Sequence, residues 1–413
     1  MDWIKKRIIG VAALLMAIMV ITTAAYASDP LIEKLREKGV LNDEEITEIE
    51  RERSKDWHLP KGLEGVSIGA LAYIDYSAGE KLSDGKLDSY NQFAVTRGYI
   101  NIKKQLTPWL SVRITPDIAQ ETAGDEDAKL YGSWVARFKY YYAQFNWPDM
   151  GFLTNNTTEF GMGHMAWLDF QEHINPYRCQ GTMFQERFHG FNSADLGVSL
   201  MGYLGGELDE DYQKNVSKYY AGKYGSYHVG VYNGAGYHAD ENNNNKVVEY
   251  RLTIRPLPTI LPGLQLTYFG VNGKGNTEDT PDWKINTAFV SYQHEYFTVT
   301  GEYIKNKGNQ AGDWVKATDP GKPLNVDGYS LFGFVRIPGL EELRVHGRYD
   351  VFDPDDDTDD DEAKLFIAGL SYDVYQHNMV MLNYERCDYE KNNDKVGEDD
   401  YEHRVQLVYQ IEF

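Results

Sequence analysis

The segment RVQLVYQIEF, Arg404 to Phe413, alternates from end to end. Val405, Leu407, Tyr409, Ile411 and Phe413 share one face, and Arg404, Gln406, Val408, Gln410 and Glu412 share the other. A period of two is that of a β-strand. One apolar and aromatic face set against a mostly polar one suits a strand with lipid on one side and water on the other.

The same period runs back through most of the chain. Reading outward from the terminal segment, strands are expected near 64–77, 90–103, 108–120, 131–147, 154–163, 192–205, 217–233, 246–256, 263–272, 284–293, 297–306, 327–337, 342–352, 363–374, 379–389 and 401–413. Short joints such as Leu106 to Trp109, His294 to Tyr296 and Tyr375 to Asn378 alternate with long polar connections such as AGEKLSDGKLD and GAGYHADENNNNK. That is the rhythm of periplasmic turns and extracellular loops in a membrane barrel. The expected fold is all-β, a transmembrane antiparallel barrel of about sixteen strands over residues 63–413. It becomes eighteen if Gly205 to Gly225 hides another hairpin.

Composition agrees, with 31 Tyr, 17 Phe, 8 Trp and 38 Gly among 413 residues. After the first 27 residues no stretch reaches the ~18 apolar residues of a transmembrane helix, and a barrel needs none because only alternate residues meet lipid. A soluble sandwich or propeller would fill its core with apolar side chains, whereas many strands here put charge opposite the apolar face. The net charge of −22 argues against a nucleic-acid partner.

Residues 1–27 have the layout of a secretory signal peptide: Lys5, Lys6 and Arg7, an apolar run from Ile8 to Ile21, then AYA before Ser28. Residues 28–62 read as a charged arm of two short helices, with Pro30 in a first turn, Gly39 as a stop, and Asn42 with Glu45 as a capping box. The arm is expected in the periplasm, as a spacer or as the contact for an oligomer or a periplasmic partner.

Assigning the apolar parity of each strand to lipid leaves the other parity for the lumen. The rule turns inward Arg97, Lys103, Arg113, Arg137, Lys139, Arg251, Arg255, Arg344, Arg348, Arg386 and Arg404. Inward carboxylates are fewer: Asp75, Asp117, Asp195, Glu249, Glu302, Asp350, Asp388 and Glu412. A charge on the lipid face costs about 2–4 kcal/mol near the midplane, which penalises the opposite assignment repeatedly. A basic pore wall attracts anions.

One connection departs from its acidic neighbours. Residues 163–190, GHMAWLDFQEHINPYRCQGTMFQERFHG, combine Trp167, Phe170, Tyr177, Met183, Phe184 and Phe188 with His164, Asp169, Glu172, His173, Arg178, Glu186, Arg187 and His189. The apolar set would pack on the wall and the charged set would face the passage. A zinc site from the histidines and Cys179 lacks any compact ligand spacing, no G-x-S-x-G nucleophile occurs, and the Cys-x-x-Cys-His of a haem conduit is missing. No catalytic residue, metal or cofactor is therefore assigned. The two cysteines, Cys179 and Cys387, either stay as separate thiols or form a disulfide pinning the loop to the wall. The run DPDDDTDDDE, Asp353 to Glu362, lacks the central glycine of a calcium loop and reads as a solvated extracellular loop.

With these features in place, the chain resembles Gram-negative outer-membrane porins. The resemblance rests on the signal peptide, the arm LIEKLREKGVLNDEEI, the hairpin RGYINIKKQLTPWLSVRITPDI, VGVYNGAG and the terminal Phe413. Within that group it is similar to the phosphate-selective porin O and P type, although it carries no lysine-rich loop. The resemblance implies a sixteen-strand barrel, a homotrimer in outer-membrane lipid and lipopolysaccharide, and a third loop folded inward as the pore constriction. It also implies that Phe413 is read by the barrel-assembly machinery. The expected function is passive diffusion of small hydrophilic solutes, preferably anions. The alternative is a barrel that sheathes a multihaem cytochrome or serves as a surface adhesion scaffold.

Overall fold

The computed structural model describes residue 38 and residues 63–120 and 131–413. The signal-peptide and helical-arm readings lie outside the described residues. No described helix is long and apolar enough to cross a membrane.

The first strands are β1 (Val66–Ser83), β2 (Lys86–Thr107), β3 (Leu110–Gln120), β4 (Trp134–Asn146), β5 (Leu153–His164) and β6 (Ala194–Leu204). They are followed by β7 (Gly225–Tyr232), β8 (Val247–Ile254), β9 (Leu264–Lys274), β10 (Asp282–Gln293) and β11 (Phe297–Lys307). Two short strands, β12 (Val315–Lys316) and β13 (Asp319–Pro323), pair only with each other. The last are β14 (Asn325–Ile337), β15 (Leu340–Asp353), β16 (Ala363–Tyr375), β17 (Asn378–Tyr389) and β18 (Tyr401–Glu412). All except β12 and β13 form one closed barrel of sixteen antiparallel strands, sealed where β1 pairs with β18 and Ile74 lies opposite Tyr409. Closure removes every unpaired edge, which a lipid environment demands.

The outer surface is banded. At the short-turn end stand exposed Trp109, Trp147, Phe152, Tyr224, Tyr296 and Tyr375. Towards the other end stand Trp134, Tyr250, Tyr329, Tyr349 and Phe366. Between the two rings lie aliphatic side chains such as Leu252, Leu266, Val290, Leu331 and Val345. Two aromatic girdles flanking an apolar belt mark a membrane-spanning barrel.

Three details differ from the sequence reading. The polar stretch 78–88 is not a loop: β1 and β2 run on to a two-residue turn at Asp84 and Gly85, both with positive φ (49° and 73°). Asp-Gly is the dipeptide that favours this hairpin. Residues 205–224 contain no barrel hairpin. They hold a helix (Glu210–Asn215) whose first turn is capped by the Asp209 carboxylate, which accepts from the Tyr212 N–H at 2.8 Å. The strand count is therefore sixteen, not eighteen. Finally, Arg386 and Asp388 lie on the outer face of β17, with Glu385 and Cys387 facing inward. Both faces of β17 begin apolar, Met379 and Met381 on one and Val380 and Leu382 on the other, so alternation alone did not choose, and a slip of one residue inverts the whole strand. Arg386 sits near the loop end, bonded to Asp388 at 2.5 Å and over the Tyr401 ring, where the penalty for charge is small.

Candidate functional site

Residues 165–193 leave the rim between β5 and β6 and fold into the lumen, carrying α1 (Leu168–Glu172) and α2 (Phe184–Arg187). The fold inward has an apolar cause. Met165, Trp167, Leu168, Phe170 and Ile174 pack on Val247, Phe269, Val271, Trp283, Ile285 and Phe289, which are inward residues of β8, β9 and β10. Trp167 is completely buried, stacked on Phe269 at 5.2 Å and edge-on to Phe289 at 5.3 Å. Each such pair adds about 0.5–1.5 kcal/mol beyond area burial. The loop then crosses to a second apolar patch, where Tyr177 and Cys179 meet Tyr73, Phe332, Phe334, Met379, Met381 and Val408.

Several wall residues hold this loop. Glu249 accepts from the Ala166 N–H (3.0 Å) and Arg251 donates to the Ala166 carbonyl (3.0 Å). Arg348 donates to the Thr182 carbonyl (2.8 Å), Arg404 to that of Gln180 (2.9 Å), and Glu302 accepts from Gln171 and Gln185 (2.6 and 2.7 Å). Arg344 is paired with Asp373, Arg348 with Asp350, and both Arg187 and Arg404 with Glu385. Arg255 donates to the Gly222 carbonyl (3.0 Å) and the Tyr220 carbonyl (3.1 Å), pinning 205–224. Of the eleven cations expected on the pore wall, Arg251, Arg255, Arg344, Arg348 and Arg404 are thus occupied as braces, and Arg386 is outside.

The remaining five lie together on β2, β3 and β4. Lys103 is directly opposite Arg113 in the ladder, a like-charge pairing that costs stability. Arg113 donates to Asn101 (2.8 Å) and Thr115 (3.0 Å) and stacks on Tyr140 at 4.4 Å. Arg97 lies over Tyr73 and Tyr99, and Lys139 donates to the Tyr99 hydroxyl at 3.0 Å. Among the described residues only Arg137 has a carboxylate partner within 4.0 Å, Asp117 at 3.0 Å. Aromatic faces hold these cations without cancelling their charge.

Across the gap, the loop's own charges are partly compensated within the loop. Arg178 is buried and donates to Glu172 (2.8 Å) and Glu186 (2.7 Å). Burial alone would raise the Glu172 carboxyl, but Arg178, then Lys139 and Arg97 of the facing wall, pull it below its ordinary value. No ion pair within 4.0 Å joins Glu172 or Glu186 to that wall among the described residues. Asp169 accepts from the Tyr220 hydroxyl at 2.5 Å and lies 3.7 Å from His164 and 3.5 Å from His173. Burial opposes its ionisation, yet His173 and His164 outweigh burial and hold its carboxyl far below the usual range. His164 in turn touches Glu159 (2.8 Å) and Arg113 (3.3 Å).

His189 does not join this group: it is exposed at the loop's exit in a positive-φ conformation, its carbonyl accepting from Asn309. Cys179 and Cys387 are free thiols in separate apolar clusters, so the disulfide is not formed. Burial pushes the Cys179 thiol up to about 12. Sequence reading missed Glu159, Glu385, Asp373 and Tyr220. Glu385 was lost to the β17 slip, while the apolar inner faces of β9 and β10 were the available signal for where the loop docks.

No protein-family model matches the chain, and no curated protein matches it. Solved structures do. An anion-selective porin from Comamonas acidovorans is 10% identical, with a TM-score of 0.56 and coverage of 84% of this chain and 100% of that one. OmpF of Salmonella typhi in complex with daunomycin is 12% identical, with a TM-score of 0.53 and coverage of 84% and 97%. The outer-membrane channel DcaP of Acinetobacter baumannii is 12% identical, with a TM-score of 0.51 and coverage of 86% and 99%. At these identities the likeness is one of fold, and the fold is that of outer-membrane porins and channels.

Proposed function

We propose that the protein is a porin of the Gram-negative outer membrane, a passive diffusion channel for small hydrophilic solutes that favours anions. The observation that carries the anion preference is the cation group Arg97, Lys103, Arg113 and Lys139, which has no carboxylate partner within 4.0 Å among the described residues and faces a loop whose Glu172 and Glu186 are both taken by Arg178. A solute passing between loop and wall meets Arg97, Lys103 and Arg113, backed by the buried Lys139, in excess over the loop's carboxylates, and rows of basic side chains select anions. The anion-selective porin of similar fold is consistent with this.

Reversal potentials in planar bilayers under a salt gradient test the proposal. A potential of anion-preferring sign is expected, and a cation-preferring sign would sink it. Phosphate is the oxyanion to compare with chloride, following the resemblance to phosphate-selective porins. A homotrimer is proposed from the strongly exposed Phe93, Phe138, Tyr141 and Phe160 on neighbouring β2, β4 and β5, with chemical cross-linking as its check. The chain is proposed to act without enzymatic chemistry. The loop that crosses the lumen weighs against the barrel sheathing a cytochrome, because it occupies the bore such a partner needs.

A further inference from the structure

The acidic run 353–362 is exposed at residues 356–360, as a solvated loop would be, but its ends fold back onto the strands. Asp327 on β14 is directly opposite Asp353 on β15, an arrangement that costs stability in a ladder. The chain then turns back: the Asp355 N–H donates to the Asp353 carboxylate (3.0 Å) and the Asp356 N–H to the Asn325 carbonyl (2.9 Å), bringing Asp356 over the same pair. One carboxylate oxygen from each of Asp327, Asp353 and Asp356 lies within 4.8 Å of the others. Two oxygens on one calcium ion, each at about 2.4 Å, can be no farther apart than about 4.8 Å, so the trio already has the span of a shared ion.

A fourth carboxylate adjoins the group at Asp353. Asp361 is only 5% exposed, its Oδ1 is buried without a hydrogen-bond partner, and its carboxyl is turned towards that of Asp353. Neighbouring lysines relieve the crowding only in part: Lys305 lies opposite Asp327 in the ladder but makes no ion pair with it within 4.0 Å among the described residues. Lys316 goes to Asp355 and Asp357, Lys364 to Glu362 and Glu390, and Lys391 to Asp360. Among the described residues no Lys or Arg lies within 4.0 Å of Asp327, Asp353, Asp356 or Asp361. Buried like charges with orphaned oxygens require a proton or a cation to be stable.

We propose that this rim binds one hard divalent cation of calcium size, ligated by Asp327, Asp353 and Asp356 with Asp361 as the buried fourth carboxylate. All donors are carboxylate oxygens, the chemistry that suits calcium, and a loop that closes back through backbone bonds has the flexibility calcium tolerates and magnesium does not. The missing glycine of a helix-loop-helix calcium site is irrelevant here, because the turn is made between strands and Asp360 itself takes the positive φ (60°).

The test uses the full-length protein, purified in detergent and stripped with chelator. Calorimetric titration with calcium chloride is expected to show one saturable site, with magnesium weaker. Asp361→Asn and Asp353→Asn should each weaken calcium binding by about tenfold or more, as losing even a supporting group does at metal sites. Trp314 packs on Phe352, next to Asp353, at 5.4 Å, so terbium luminescence excited through tryptophan should appear. It should vanish in Trp314→Phe while calcium binding persists. Heat-modifiable electrophoretic mobility reports whether each variant keeps its barrel. If a buried-site variant loses it, exposed Asp356→Asn takes its place. No saturable calcium heat in the wild type, the outcome if Asp361 and Asp353 merely share a proton, overturns the proposal. Unchanged affinity in folded Asp356→Asn and Asp361→Asn overturns it too.

Discussion

Arg178 carries two jobs in one side chain, because among the described residues it alone forms ion pairs with Glu172 and Glu186, and it is itself buried. Arg178→Ala leaves two carboxylates in a poorly solvated place, and breaking such a buried pair costs about 3–5 kcal/mol. The same change frees negative charge opposite Arg97 and Lys139, so the reversal potential should move towards cations. Lys103→Glu is the complementary test: its side chain is exposed and lies opposite Arg113. That variant replaces a like-charge pair by an opposite-charge one, so it should keep or raise its unfolding temperature while losing anion preference. Acid acts on the same residues. Asp169 and Glu172 have carboxyls held below the unfolded values of about 3.9 and 4.3, so their contribution is complete above that range and is lost as pH falls through the folded values. Thermal unfolding should therefore vary little through these groups between pH 7 and pH 5, and fall below about pH 4. At this scale the sequence pointed Arg97, Lys103, Arg113, Arg137 and Lys139 inward, and the fold brings them together on β2, β3 and β4. The sequence could not show that Arg251, Arg348 and Arg404 are spent on loop carbonyls, because a parity argument gives the direction of a side chain and not its partner.

The inward loop is stable as an element because it brings its own core. Trp167→Ala removes the ring between Phe269 and Phe289 and should cost about 3–5 kcal/mol, the usual range for a buried aromatic. The barrel's ladders remain, so the expected result is a folded channel with higher and noisier single-channel conductance, read in the same bilayers. The loop's composition announced this packing, since no other long connection is so rich in Trp, Phe and Met, and the inner faces of β9 and β10 carry the matching apolar residues. The segment 205–224 was less legible. Its polar, tyrosine-bearing sequence fits a hairpin or a helix equally well, and its placement comes from Arg255 bonding the Gly222 and Tyr220 carbonyls and from Tyr220 reaching Asp169 across the lumen. Those contacts join residues distant in the chain, so no local pattern encodes them. The Asp84–Gly85 turn, by contrast, was written locally.

For the whole molecule, the charge is unevenly spread. Acidic residues crowd the loops, paired charges brace β15 to β18, and the uncompensated cations gather on β2, β3 and β4. A channel built this way should discriminate by sign more strongly at low salt, where the field at the gap is less screened. The cysteines give an independent check on the assembly. Cys179 and Cys387 are both buried and unlinked, so the folded barrel should resist thiol reagents, and both should be labelled, without prior reduction, once it is heat-unfolded.

By itself the sequence determined the barrel, because lipid on one side and water on the other impose a period of two on every strand, and that period survives in RVQLVYQIEF and its counterparts. Aromatic residues pointed to residues 163–190 as the connection that packs on the wall, while the inward fold was what the resemblance to porins implied. Only the tertiary structure decided the facing of β17, the pairing of Arg178 with two glutamates, and the crowding of Asp327, Asp353, Asp356 and Asp361. Each depends on side chains brought together by barrel closure, and the free energy of a charge is set by the neighbours that closure supplies.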